Sequence, residues 1–357
     1  MQKTVRNILL CCAVTAGAAL LFCFPAPVLT GASRGLSLRG NVLIPSLLPF
    51  LTLVGVCMRG GLGDAIGTVL RRPTAFLFHL PAAAAAPLVF SFLGGYPAGA
   101  VAVKQLLEDE QITEKQATRM MHFCVGAGPA FAVGAVGGVM LGSIRAGWVL
   151  LLAHVVSAWL LGVFEARRVP LVCKTATRPL AQSLSVAFTA AVQAATETVV
   201  AMSGFVILFS IALSLADGVG IAAFLDRYVA GGSVMLAGVL EVTAGCMAAA
   251  GAATPLLFLV GFFLSFGGVS VHCQVRTILQ KYPAALKDFF LFRLLHGLLG
   301  GGLTVLLFAL FPDTVSVLAP DSVAVKPFVV SPAVSLVFLC MGVTLLMSGK
   351  KRLPNGE

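Results

Sequence analysis

Apolar runs long enough to cross a lipid bilayer dominate this chain, and no other feature restricts its fold as strongly. Asn7–Leu29, Gly147–Phe164 and Phe289–Phe311 approach or exceed the ~20 residues that a helix rising about 1.5 Å per residue needs to span ~30 Å of hydrocarbon. Of the 357 residues, 59% are hydrophobic and 11% charged, far too little charged surface for a soluble globule of this length. Strand-like alternation is missing, so a β-barrel has no support. The sequence predicts an all-α, polytopic membrane protein with the lipid bilayer as its surroundings.

The formal charge of +10 does not point to nucleic acid, because the basic residues are scattered between apolar spans. They read as topology signals. Most of the nine cysteines lie in apolar stretches (Cys11, Cys12, Cys23, Cys57, Cys124 and Cys340), with no CxxC and no histidine at ligand spacing. They read as small buried hydrophobes, and no metal or cofactor is expected. Lys3 and Arg6 ahead of an apolar run resemble a signal peptide. The run is long for one, and Pro25-Ala-Pro27 is a poor cleavage site, so residues 1–30 are expected to remain as a first helix with its N-terminus in the cytoplasm.

Counting every apolar run as a full crossing would put Arg71 and Arg72 inside but Arg167, Arg168, Lys174 and Arg178 outside, against the positive-inside tendency. The conflict disappears if Ala75–Val103 enters and leaves on one side. Pro81 and Pro87 bracket an alanine run there, and Gly94-Gly95-Tyr96-Pro97 is a turn within apolar sequence. A new helix should start at Thr113, which has capping-box spacing to Gln116. It crosses to about Leu141, and Gly147–Phe164 returns. The next crossing ends near Leu215, and Ser233–Ala253 forms a second hairpin. Pro255–Val271, Phe289–Phe311 and Pro332–Met347 complete the set, ending at Lys350-Lys351-Arg352. This gives about eight transmembrane helices plus two re-entrant hairpins, with both termini cytoplasmic. Only Arg34, Arg39, Arg145, Arg227 and Lys326 are left outside.

The two halves read alike. Leu47-Leu48-Pro49-Phe50 aligns with Met202-Ser203-Gly204-Phe205 at a shift of 155, and Gly63 with Gly218. Ala98-Gly99-Ala100 matches Ala244-Gly245-Cys246 at 146; Phe123 and Gly128 match Phe263 and Gly268 at 140; His154 matches His296 at 142. Shifts that change only at loops are what a diverged duplication leaves. The expected organisation is a first repeat over 31–168, a second over 183–311, and a C-terminal transmembrane helix over 332–349. Three crossings per repeat is an odd number, so the second copy would be inverted. Inverted repeats with interrupted helices recur in secondary transporters, with the binding site where the breaks meet.

Four breaks stand out: Gly94-Gly95-Tyr96-Pro97, Gly126-Ala127-Gly128-Pro129, Glu241-Val242-Thr243-Ala244-Gly245, and Gly267-Gly268-Val269-Ser270-Val271-His272-Cys273-Gln274. Irregular backbone at this depth must face protein, water or a ligand, and half-helix ends add partial charges. The alternative is that these glycines only allow close helix packing. Glu241 is the strongest single candidate, because an intramembrane carboxylate costs about 2.5–3.5 kcal/mol and demands a partner. It would bind solute or a coupling cation, or else cap backbone N–H groups. Glu197 reads equally well as a headgroup-level residue. His272 and Gln274 could read a polar solute, whereas His154 and His296 suit interhelical hydrogen bonds. The substrate-binding candidates are therefore Gly94, Gly95, Tyr96, Pro97, Gly128, Pro129, Glu241, Thr243, Gly245, Gly267, Gly268, Ser270, His272 and Gln274. No Walker A loop, GxSxG or HExxH is present, so no enzyme activity is expected.

Five segments occur in order: Pro45-Ser-Leu-Leu-Pro49-Phe50, Gly95-Tyr96-Pro97-Ala-Gly99-Ala100, Phe123 with Gly128-Pro129-Ala-Phe131, Leu240-Glu241-Val-Thr-Ala-Gly245, and Phe266-Gly267-Gly268-Val-Ser270-Val-His272-Cys-Gln274. Over about residues 30–310 they resemble the YlbJ-type sporulation integral membrane proteins. That group sits within the nucleoside-recognition, or gate, domain families, related to pieces of nucleoside and ferrous-iron transporters. Those families tend to carry asparagines where Val125-Gly126-Ala127 stand here. The resemblance implies a bacterial cytoplasmic membrane and a sporulation role. Together these readings predict a secondary transporter or gated pore for a small polar solute, with nucleoside-like compounds among the candidates. The alternative is a non-transporting scaffold for spore or envelope assembly. A homo-oligomer is compatible with either.

Overall fold

The computed structural model describes residues 2–38, 40, 44–168 and 182–311. The expected C-terminal helix over 332–349, the basic end Lys350-Lys351-Arg352, and Arg39, Lys174, Arg178 and Lys326 lie outside the described residues. Within them the structure is helical throughout, with no strand. Five helices are long and apolar enough to cross a membrane, or up to seven if each of two bent pairs counts as one span. The chain is a polytopic membrane protein.

Helices α1 (Gln2–Cys23) and α2 (Pro25–Leu38) lead in; α1 is exposed along its length, while α2 packs on the long helix over Leu184–Gly218. Then come α3 (Ile44–Arg59) and α4 (Leu62–Val69), bent by 76° across Gly60 and Gly61, and α5 (Arg71–Phe78). Next, α6 (Ala85–Gly94) and α7 (Tyr96–Glu108) meet at Gly95. The following span is broken: α8 (Glu114–Met121), an irregular stretch, and a π-helix (Ala130–Met140). Helix α9 (Ile144–Ala166) closes the first half.

The second half runs in a similar order: α10 (Leu184–Gly218), a short α11 (Ile221–Tyr228), and the pair α12 (Gly232–Leu240) and α13 (Val242–Ala250), which meet at Glu241. A broken span follows, α14 (Leu257–Phe266) and α15 (Gly268–Ile278), and then α16 (Phe289–Leu310). At 35 residues, α10 is about 52 Å long and outreaches the hydrocarbon at one or both ends.

The two pairs fold back on themselves. A Cβ added at Gly99 would lie 2.7 Å from Cβ of Ser91, and one at Gly245 would lie 2.1 Å from Cα of Gly238, on the opposite side of each tip. Their members have 10 and 13 residues, and 9 and 9. These lengths rise about 13–20 Å, roughly to mid-bilayer. The Thr113 capping box forms as its spacing predicts. The Thr113 N–H donates to Gln116 Oε1 at 2.8 Å, and the Gln116 N–H donates back to Thr113 Oγ1 at 3.3 Å. At one end of the bundle His122 ties three elements together. Its Nδ1 lies 3.1 Å from Glu165 Oε2, its Nε2 lies 3.0 Å from the Lys287 carbonyl, and its ring stacks on Phe292. Beside it, the Arg119 guanidinium donates to the Phe78 and His79 carbonyls.

Candidate functional site

All four sequence breaks are real interruptions of helix, at residue 95, over 125–128, at 241 and at 267. Their glycines and prolines explain why. Gly95 adopts φ 82° and ψ −177°, a region essentially restricted to glycine. Gly267 and Gly268 both have positive φ, and Pro97 starts α7 where its missing N–H is not needed.

The breaks meet in matched pairs. A Cβ added at Gly128 would lie 2.9 Å from the Gly95 nitrogen and 2.9 Å from the Leu93 carbonyl, so the first tip sits on the first broken span. One added at Gly268 would lie 3.2 Å from the Leu240 carbonyl and 3.2 Å from the Val242 nitrogen, so the second tip sits on the second. Tyr96 joins the two halves. Its hydroxyl donates to the Leu264 carbonyl at 2.7 Å, and its ring packs edge-on against Phe131. The N-termini of α7, the π-helix, α13 and α15 all begin at this meeting place, and the C-termini of α6, α12 and α14 end there. Their partial charges leave an apolar slab with a polar centre.

Glu241 is buried and acts as the N-cap of α13. Its carboxylate accepts the Ala244 N–H at 2.8 Å. Ser270 and Gln274 are buried and bonded to one another at 3.2 Å. His272 does not join them. Two helical residues lie about 200° apart, so His272 takes the opposite side of α15 from Ser270 and Gln274. There its Nδ1 bonds the Gly268 carbonyl at 2.6 Å, and Nε2 has no partner among the rings of Phe266, Phe289 and Phe290. Gly94 packs against Phe50 of α3, and Gly245 against Gly238 of α12, one turn beyond the tip. Glu197 is exposed and bonded to Gln193.

Behind the tips lies a polar network that composition and spacing do not reveal. Arg293, fully buried in α16, reaches both broken spans. Its Nη1 donates to the Val125 carbonyl in the first, while Nη2 and Nε donate to the Ser265 and Phe266 carbonyls in the second. Nη1 also lies 3.0 Å from His296 Nδ1, so that nitrogen is the acceptor, and His296 Nε2 donates to the His154 carbonyl at 3.0 Å. His154 accepts the Ala127 N–H on Nε2 at 2.8 Å and therefore donates from Nδ1 to Ser265 Oγ at 3.0 Å. His154 thus satisfies backbone freed by the first broken span, and His296 links α16 to α9. The sequence does hold a signal for Arg293: it lies three residues before His296 in an otherwise apolar helix. Counting it with the cytoplasmic basic residues conceals it.

A small cavity of about 30 Å³ lies away from this centre, between α3, α7 and α10, lined by Leu51, Met58, Arg59, Val101, Gln105 and Thr198 among others. None of the predicted site residues lines it.

Comparison with known proteins agrees with the sequence resemblance. The chain is 27% identical over 322 residues to the sporulation integral membrane protein YlbJ of Bacillus subtilis (strain 168), covering 79% of this chain and 78% of the relative. The similarity runs through most of both chains. No family model matches this chain. Two solved structures of CNTnw, variants in an outward-facing and in an intermediate state, resemble this chain with TM-scores of 0.44 and 0.45. Identities are 13% and 15%, over 87% and 90% of this chain and 84% and 86% of the other.

Proposed function

We propose that this YlbJ-like chain moves a small polar solute across the membrane, as a secondary transporter or gated pore and not as an enzyme. The observation that carries this reading is the convergence of two helical hairpins and two broken spans on one buried centre. Interrupted helices placed so that they satisfy one another are poor membrane packing unless the centre must open to something polar. The paired approaches of Gly128 to Gly95 and of Gly268 to Leu240 and Val242, the neighbours of Glu241, support an inverted repeat. Glu241, Tyr96 and the ends of the half-helices are the groups that would meet the solute. Nucleosides are the first class to test, given the family resemblance, and the relative's name makes sporulation the process in which to look.

Purified protein should be stabilised by its solute through mass action, by about 2.7 kcal/mol at a hundredfold excess over Kd. Screening nucleosides, amino acids and other small polar metabolites by thermal shift is expected to give a saturable rise for one class. A flat response across the screen would count against transport of those classes. The inverted topology has its own test. With all nine native cysteines replaced, single cysteines at the exposed positions Arg72 and Lys115 should both be labelled from the cytoplasmic side only. Labelling from opposite sides would remove the re-entrant hairpin between them.

A second reading has one observation in its favour. Arg293 and His154 saturate much of the freed backbone with protein groups, as a rigid scaffold for spore or envelope assembly would. A scaffold would leave the thermal screen flat while the protein still complemented a deletion strain.

A further inference from the structure

Broken helices in transporters present clusters of backbone carbonyls, and such clusters are where a coupling cation is held. In this chain three of those carbonyls, Val125 in the first broken span and Ser265 and Phe266 in the second, are already taken by one positive group. That group is the guanidinium of Arg293, which is 0% exposed. Among the described residues no carboxylate pairs with it: the ion pairs there are Lys104 with Glu108 and His122 with Glu165. Its side-chain acceptor is His296 Nδ1, a neutral ring nitrogen. A buried charge with no counterion is costly, and here it is balanced by carbonyl dipoles at helix ends.

A guanidinium suits this task. It is always charged, less strongly hydrated than an ammonium, and carries five donors in a fixed fork. It can therefore bridge carbonyls on two different spans, as a bound metal ion would, without leaving the protein. His154 and His296 complete the arrangement by fixing the Ala127 N–H and the orientation of the fork.

We propose that Arg293 is a tethered cation that occupies the carbonyl cluster between the two broken spans, so that this position takes no metal ion. The proposal rests on the transport reading for its meaning, but its test does not involve transport. The melting temperature of the purified protein is measured in sodium, potassium and choline chloride at equal ionic strength. With Glu241→Gln as background, to remove any cation held by that carboxylate, the protein with Arg293 intact is expected to melt at the same temperature in all three. Arg293→Ala should melt several degrees lower in choline, and low-millimolar guanidinium or sodium should recover part of that loss by entering the vacated cluster. Arg293→Met, which fills the space without charge, should be destabilised and show no recovery.

Three results would overturn the proposal: a saturable sodium stabilisation of wild type that persists in Glu241→Gln, an Arg293→Ala protein as indifferent to cations as wild type, or an Arg293→Met protein as stable as wild type. Should Arg293→Ala fail to accumulate, Arg293→Lys takes its place. It keeps the charge and is expected to remain indifferent to sodium, so sodium stabilisation of that variant would also overturn the idea. A flat solute screen alongside cation rescue of Arg293→Ala would sink the transport reading while leaving the tethered cation standing.

Discussion

Replacing Gly245 with alanine should destabilise the protein by about 3 kcal/mol, while the same change at Gly204 should leave it unaltered. Both glycines lie inside apolar helices, so composition does not separate them. Geometry does. A Cβ on Gly245 would lie 2.1 Å from the Cα and 2.7 Å from the nitrogen of Gly238, so it strikes backbone that cannot rotate away. The two arms of the second hairpin would have to part, and Phe263, 3.0 Å from the same point, would have to follow. Gly204, on α10, has nothing within 4 Å of its added Cβ. Melting temperatures of the two variants decide the matter. A wild-type value for Gly245→Ala would mean that the hairpin arms are not in contact as described. The structure also moves the role of this glycine: it sets how closely the arms pack and does not itself face the centre.

The breaks are legible in the sequence because glycine and proline act where they stand. Gly95 needs its unusual dihedral angles whatever surrounds it, and a Gly-Gly-Tyr-Pro sequence in apolar surroundings fits poorly into one continuous helix. The Thr113 cap is legible for the same reason, since its partners lie three residues apart. The pairing of breaks is half legible. The shift of 146 that aligns Gly99 with Gly245 also carries Gly95 onto Glu241, the two tips, but only packing shows each tip seated on its own broken span.

Arg293 is not legible by counting charges. It lies four residues into α16, where a basic side chain ordinarily snorkels to the interface. Its burial is a tertiary fact, because α16 is wedged between α14 and α9 and both neighbours offer carbonyls or rings to it. The π winding of Ala130–Met140 is equally hidden. Gly, Ala and Val in that segment are compatible with ordinary helix, and it is the approach of Gly137 to Gly147 of α9, with a would-be Cβ 2.3 Å from the latter's Cα, that goes with the altered winding. His272 and Gln274 show a further limit. Neighbours in a motif need not be neighbours in a site, because two residues along a helix face opposite ways.

Glu241 offers the sharpest test of mechanism, since the structure gives its carboxylate one occupation and the proposed function gives it another. As an N-cap it accepts the Ala244 N–H. Glu241→Gln keeps one carbonyl oxygen able to cap, while its NH2 can accept nothing, so stability should fall by about 1–2 kcal/mol. Glu241→Asp keeps the charge and is among the best capping residues, but draws the carboxylate back by roughly 1.5 Å, one carbon–carbon bond. If capping is the whole role, Asp should be near wild type in abundance, melting temperature and complementation of a deletion strain, and Gln should fall only in melting temperature. If the carboxylate also holds solute or a coupling proton or cation, both variants should reach normal abundance and both should lose complementation. Gln would lose it because it carries no charge, and Asp because the charge is withdrawn from the centre. Full activity in Glu241→Gln would end any charge-based mechanism at this position and leave Glu241 as the cap of α13.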